Sequence, residues 1–282
     1  MKLIHRMKVL MSVIQELGGT ITNERFHKLL FLYCTEFSEN NAYYEFIPLA
    51  NGPFSLQAEA DKTILKNKYQ LENLQDWVAS PNIERHAISL DLFEKMAVQQ
   101  LKNAWKDKSS EELNSYIKQT FSDYAASENA SLPCDEISFF TIGYEGRSLE
   151  GYLNILRRNQ VRLLCDVRKN AFSQKYGFSK EELKNALALI SIQYTHIPDL
   201  GIASEKRQNL NNDHDYSQLF DEYDKQTLTK QHDKIELLLN LLEQHKRIAI
   251  TCFEASVYHC HRSKVTSALK SMKGFIYPIR HL

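Results

Sequence analysis

Ile248-Ala-Ile-Thr-Cys-Phe-Glu-Ala-Ser-Val-Tyr-His-Cys-His-Arg262 is the stretch on which the reading of the fold turns. The apolar run Ile248 to Ile250 has the make-up of a buried strand, and Ser263 to Met272 restores a helical period. Between them stand Cys252, Glu254, Cys260, His261 and Arg262. Open α/β sheets bind ligands at the carboxyl ends of their strands. Reactive polar residues just past a buried strand therefore predict an α/β enzyme domain with its site here.

Working outward, the same grammar recurs upstream. Ile137 to Gly143 reads as a short strand, followed by a helix from Leu149 to Asn159 capped by Ser148. Val161 to Val167 is the next strand, and Ser179-Lys-Glu-Glu182 is a capping box opening a helix through Ile190. Ile192 to Ile197 is a third strand, and residues 234 to 245 form an apolar helix before the opening stretch. Strands alternating with helices predict a mostly parallel sheet flanked by helices over residues 134–282. Polar residues follow each strand: Tyr144, Glu145 and Arg147; then Asp166, Arg168 and Lys169; then His196 and Asp199. The polar loop from Glu205 to Asp233 reads as a lid or a partner surface.

Residues 1–130 read differently. Ile4, Val9, Leu10, Val13, Ile14 and Leu17 have helical spacing that the Gly18-Gly19 pair ends, and Thr22 is a natural N-cap for a second helix. Tyr43 to Leu49 reads as a strand, Asn51-Gly52-Pro53 as a turn, and Phe54 onward as a helix again. Helices follow over Leu92 to Lys106 and Glu111 to Phe121, and the small polar segment 125–133 is the expected linker. The order is compatible with a mainly helical, winged-helix-like module, which binds DNA through a helix or docks a protein. Its lysines, Lys28, Lys62, Lys66 and Lys68, are interleaved with acids, so no basic stripe marks a DNA face.

Two resemblances accompany these readings. The run His27-Lys-Leu-Leu-Phe-Leu-Tyr-Cys34, with Phe46-Ile-Pro-Leu-Ala-Asn-Gly-Pro-Phe-Ser55, resembles the pattern of Panacea-type antitoxin domains over about the first 75 residues. In the second half, Thr141-Ile-Gly-Tyr-Glu-Gly-Arg-Ser148, Asp166-Val-Arg168, Tyr194 to Gly201, Cys252-Phe-Glu254 and Cys260-His-Arg262 resemble the signature blocks of the domain-of-unknown-function 488 family. That likeness runs from about residue 138 to 270, in the family's order. It implies an α/β fold and a site including Asp166, Arg168, Cys252, Glu254, Cys260, His261 and Arg262, without implying a reaction.

Composition bounds the rest. The chain has 282 residues, room for about two domains, and is 43% hydrophobic and 25% charged, as in ordinary globular proteins. Its formal net charge is zero, so nothing global draws it to nucleic acid or membrane. No apolar run is long enough to span a bilayer and the N-terminus carries no signal-peptide core, so a cytoplasmic location is expected. Five dispersed cysteines argue against a disulfide framework.

The expected site has catalytic candidates Asp166, Glu254, His261 and Cys252, with Arg147, Arg168, Arg262, Tyr144, Glu145 and Lys175 contacting an anionic substrate. Asp166 and Glu254 suit a two-carboxylate mechanism; the bland alternatives are a loop-shaping Asp166–Arg168 pair and a solvated Glu254. Cys252 is either a small buried hydrophobe or a nucleophile activated by His261. No cofactor is expected. The donors Cys252, Glu254, Cys260 and His261 suit zinc, but their spacing matches no standard pattern and adjacent Cys-His does not easily face one ion. Three arginines around a helix start predict one phosphate site, and Tyr144, Tyr176 and Phe178 offer faces for a base or simply pack. The reading is an enzyme acting on a nucleotide or nucleic acid by hydrolysis or group transfer, including cleavage of the N-glycosidic bond of a modified DNA base. The alternative is a non-catalytic DNA- or partner-binding regulator that senses a nucleotide, in a defence or toxin–antitoxin setting.

Overall fold

A computed structural model describes residues 4–18, 20–38, 43–69, 76–78, 89–124, 136–203, 206 and 213–282. The expected linker at 125–133, together with Gly19, Glu205 and Arg207, lies outside them. The chain divides into two compact units, Met1–Ala130 and Ser131–Leu282.

The first unit is mainly helical: α1 (His5–Leu17), β1 (Thr20–Thr22), α2 (Asn23–Leu32) running into a π-helical turn Tyr33–Phe37, the hairpin β2 (Ile47–Leu49) and β3 (Gly52–Phe54), α3 (Leu56–Tyr69), β4 (Asp76–Val78), α4 (Leu92–Trp105) and α5 (Ser110–Thr120). The last two helices start where they do because Asp91 with Glu94, and Ser109 with Glu112, form reciprocal capping boxes. Thr22 stands at the N-cap of α2 but its side chain makes no capping bond. Of the expected strand from Tyr43, only Ile47–Leu49 pairs, and it pairs with β3 across a tight turn. β1 pairs antiparallel with β4 instead of joining that hairpin. The helical character of this unit holds, and among the described residues β1 and the hairpin lie in separate two-stranded sheets.

Two separated sequence blocks meet in this unit. The backbone N–H of Ser55 donates to His27 Nδ1 at 3.2 Å, which leaves Nε2 to donate to Glu59 at 2.8 Å. The His27 ring also lies 4.3 Å from that of Phe54. Gly52, at φ +112°, has the Lys28 side chain packed where a Cβ would project.

The second unit alternates β5 (Ser138–Gly143), α6 (Leu149–Arg158), β6 (Leu163–Asp166), α7 (Lys180–Leu189), β7 (Gln193–His196), α8 (Asp213–Gln226), α9 (His232–His245), β8 (Arg247–Cys252), α10 (Arg262–Lys270) and β9 (Ile279–His281). The strands form one five-stranded sheet in the order β7-β6-β8-β5-β9, and every pairing is parallel. This is the expected parallel sheet flanked by helices. Phe139, Leu163, Cys165, Ile248 and Ile250 pack against Leu219 and Phe220 of α8, Leu238 and Leu242 of α9, and Val265 and Leu269 of α10. Alternation sends the intervening residues to the other face, where Tyr152 of α6 bonds Thr251 at 2.8 Å.

Two local expectations change. Ser179 is the N-cap of α7, but its hydroxyl exchanges bonds with the backbone of Ser173, tying a loop and leaving the capping box unformed. Much of the expected polar loop is α8, whose Tyr216, Leu219, Phe220 and Tyr223 recur at helical spacing and pack on the core. Among the described residues no helix is long and apolar enough to cross a membrane.

Burial holds the His27 imidazole below its ordinary value of 6.5, against the opposing pull of Glu59. The unfolded chain then binds the extra proton, so the stability His27 contributes is complete above about pH 6.5 and is lost as pH falls through the lowered folded value. Thermal unfolding of the full chain from about pH 8 to about pH 5 is expected to show Tm falling in the acidic half of that range. His27→Gln is expected to flatten that fall; an unchanged slope in the variant rejects the assignment.

Candidate functional site

The topology fixes where a site can open. From β6 the chain moves outward to β7, whereas from β8 it moves the opposite way to β9, so the connections diverge above the β6/β8 pair. Diverging connections leave a crevice at the carboxyl ends of the two strands. Asp166 ends β6 and Cys252 ends β8, so the sheet brings both candidates to the carboxyl ends of adjacent strands.

The turn after β5 closes one side. Gly143 lies so near the β8 loop that a Cβ would stand 1.8 Å from the carbonyl oxygen of Glu254. The N–H groups of Tyr144 and Glu145 donate to Phe253 O at 3.1 and 2.9 Å, and Ala255 N–H donates to the Glu145 carboxylate at 3.0 Å. Lys175 Nζ donates to Tyr144 O at 2.9 Å. Burial lowers the Lys175 ammonium from its usual value, with Glu145 opposing the change. Arg147, half-buried in the same turn, has no hydrogen bond or ion pair from its guanidinium among the described residues.

Asp166 and Arg168 bond each other. Arg168 Nε lies 2.9 and 3.1 Å from the two Asp166 oxygens, its Nη2 donates at 2.5 Å, and its backbone N–H donates at 3.0 Å. Tyr194 OH donates a further bond to Asp166 at 2.8 Å. Arg168 Nη1 reaches Tyr144 OH at 3.0 Å and Phe178 O at 2.8 Å. Burial works against a charged guanidinium, but the bonds and field of Asp166 outweigh it and raise Arg168 above its usual value. The carboxylate is fully buried, and no hydrogen bond or ion pair joins it to Glu254. Strand alternation also turns Asp166 and Cys252 to opposite faces. Asp166 is thus committed to Arg168 and Tyr194, and Arg168 is occupied by protein acceptors.

A second cluster gathers around α10. Cys252 Sγ donates to Glu254 Oε2 at 3.1 Å and lies 3.7 Å from His261 Nδ1. Cys260 Sγ lies 3.9 Å from the same nitrogen. His261 Nε2 is 3.2 Å from Val167 O, a partner that accepts only, so the ring proton sits on Nε2 and Nδ1 presents its lone pair. Arg262 Nε donates to Cys260 Sγ at 3.1 Å, and its Nη2 donates to the carbonyls of Glu254 and Ala255. Burial, with Cys252 adjoining, pushes the Cys260 thiol well above its ordinary value. Cys252, Cys260, His261 and Arg262 are all buried, while Glu254 is half-exposed. Arg262 thus braces the β8 loop, and Arg168 and Arg262 both spend their guanidinium donors on protein acceptors.

Two features escaped the reading of the sequence. Tyr194 completes the Asp166 shell; its place one residue before Thr195 on a strand adjoining β6 was the available signal. A cavity of about 200 Å³ is lined by Lys169, Asp199, Gly201, Lys206, Glu222 and Tyr223 among others. Tyr223 forms a wall of this cavity and stands edge-on to His261, ring centres 5.6 Å apart. Tyr144 and Phe178 stack on each other at 4.4 Å and are buried, so packing occupies those two aromatic faces.

Fold and geometry together define a parallel α/β unit with a strand-end crevice between its second and fourth strands. Residues 148–269 match the family model described as "Domain of unknown function DUF488". The matched segment takes in Asp166, Arg168, Cys252, Glu254, Cys260, His261 and Arg262, and leaves the turn from Tyr144 to Arg147 outside it. No curated protein and no solved structure matches the chain.

Removing one partner of a buried ion pair strands the other charge. Asp166→Ala is expected to destabilise the second unit by about 3–5 kcal/mol, read from denaturant unfolding. The double change Asp166→Leu with Arg168→Met is expected to cost less than the single one, because no buried charge is left unmatched. A double variant as unstable as the sum of the two singles would show that the pair is not coupled.

Proposed function

We propose that the second unit is an enzyme acting by hydrolysis or group transfer on a nucleotide or nucleic acid, with Glu254 as its general base. The observation that carries this reading is the half-exposed Glu254 carboxylate set beside buried Cys252 and His261 at the crevice where the strand connections diverge. A carboxylate there can accept a proton from an attacking water and return it to the leaving group. Asp166 is committed to Arg168 and Tyr194, so the reading uses one carboxylate and not two.

Support for an anionic, base-bearing substrate comes from the surroundings. Arg147 lies on the turn closing the crevice, Lys175 reaches that turn through Tyr144 O, and Lys169 and Lys206 line the neighbouring cavity. Phe253 and Tyr176 are exposed aromatic faces suited to stacking. The N-glycosidic bond of a modified base is the narrower form of this reading, since its hydrolysis requires a positioned carboxylate and a water.

The full chain should release product from one member of a panel of nucleoside phosphates and single- or double-stranded oligonucleotides. Glu254→Gln is expected to lower that rate by about 10²–10⁴-fold. Binding of the same substrate should stay within about threefold of the parent protein. A nucleotide bound tightly but never turned over, by the parent and the variant alike, would make the unit a sensor and remove catalysis.

A further inference from the structure

The arrangement around α10 suggests more than a braced loop. Three soft or borderline donors, Cys252 Sγ, Cys260 Sγ and His261 Nδ1, lie within 4.8 Å of one another, and all three residues are buried. In a tetrahedral zinc site, with Zn–S about 2.3 Å and Zn–N about 2.0–2.1 Å, a sulfur and a nitrogen ligand stand about 3.5–3.6 Å apart. The observed separations from Nδ1, 3.7 Å to Cys252 and 3.9 Å to Cys260, are within a few tenths of that edge. Chain adjacency is no obstacle. Cys260 and His261 sit in the turn that begins α10, where both side chains reach the same space.

The surrounding bonds are those a metal centre needs. A metal-bound imidazole donates its other N–H to a carbonyl or carboxylate, which fixes the tautomer and the ring orientation. His261 does this through Val167 O. Thiolate ligands are stabilised by N–H donors, and Arg262 Nε supplies one to Cys260 Sγ. The guanidinium is itself held by the Glu254 and Ala255 carbonyls, so it is fixed before any ion arrives. Glu254 Oε2 lies 3.1 Å from Cys252 Sγ, on the half-exposed side of the cluster.

We propose that Cys252, Cys260 and His261 bind one zinc ion through Sγ, Sγ and Nδ1, with Glu254 beside a fourth position held by water. Three protein ligands and one exchangeable position are the composition of a catalytic zinc site, and two thiolates with one imidazole favour zinc over harder ions. Loading releases one proton from each thiol. Glu254 is within hydrogen-bond reach of Cys252 to receive the proton from that thiol. Binding of the ion stands on the donor geometry alone. Its use in hydrolysis rests on the reading of Glu254 given above: with the thiol proton already released to solvent, Glu254 would take one proton from the bound water, the hydroxide would attack the substrate, and Glu254 would return that proton to the leaving group.

The test uses the full chain, reduced, loaded with zinc and desalted, with metal content read by mass spectrometry. About one zinc per chain is expected. Exchange for cobalt should give the visible bands of a tetrahedral site and a thiolate-to-cobalt charge-transfer band in the near ultraviolet. Cys252→Ser and Cys260→Ser should each weaken zinc retention against a chelator by at least about tenfold, and Cys165→Ser should not. Glu254→Gln should keep the ion while losing any turnover, which separates failure of the metal site from failure of the enzymatic reading. The proposal is overturned if the reduced parent protein retains no zinc and shows no cobalt spectrum. It is also overturned if cobalt binds without a charge-transfer band, or if Glu254→Gln loses the ion. Because the parent's cobalt spectrum is decisive by itself, a serine variant that fails to fold does not blunt the test.

Discussion

The buried pair of Asp166 and Arg168 is the interaction on which the strand-end region depends. Four segments meet on its two side chains: the end of β6, the turn after β5 through Tyr144, the approach to α7 through Phe178, and β7 through Tyr194. None of these segments is long enough to hold its own course by local hydrogen bonds. A planar guanidinium with donors in a fixed fork sets their separations in a way that a flexible ammonium would not. The donors of Arg168 thus go to architecture: Asp166, Tyr144 and Phe178.

This division of labour separates two sets of residues that look alike in sequence. Asp166 with Arg168, and Glu254 with Arg262, are each an acid and a base two and eight positions apart just past a buried strand. Only burial and face distinguish them. The first pair is turned under α6 and sealed; in the second, Arg262 holds the backbone of the β8 loop and leaves the Glu254 carboxylate toward solvent. The chemistry therefore concentrates on one side of the sheet, where Cys252, Cys260 and His261 are.

Much of the architecture was legible because it is written in periodicity. Apolar runs such as Ile248 to Ile250, and the helical spacing of Leu149, Tyr152, Leu153 and Leu156, place strands and helices without tertiary information. What was illegible depended on pairings between distant positions. Nothing local says that β1 will pair with β4, that Ser179 will prefer Ser173 to its own helix, or that Tyr194 will complete the shell of Asp166. α8 was missed because its charged face dominates its composition, although Leu219, Phe220 and Tyr223 carry the period. At the site, residue identities were readable and their partners were not. Which of two carboxylates is sealed against an arginine is a property of strand alternation against neighbours, and it appears only when the sheet order is known.

The close approach at Gly143 has a consequence for how this region can vary. The β8 loop is pinned at its start, where the chain passes over Gly143 and bonds the β5 turn, and again where Cys260 to Arg262 enter α10. Between those pins, residues 256–259 are largely solvent-facing, and Tyr258 is 82% exposed. Such a span behaves like a handle on a fixed hinge plate. Exchanging the solvent-facing side chains there leaves both pins in place, whereas shortening the span would take away Val257 O, the acceptor of the Cys260 N–H.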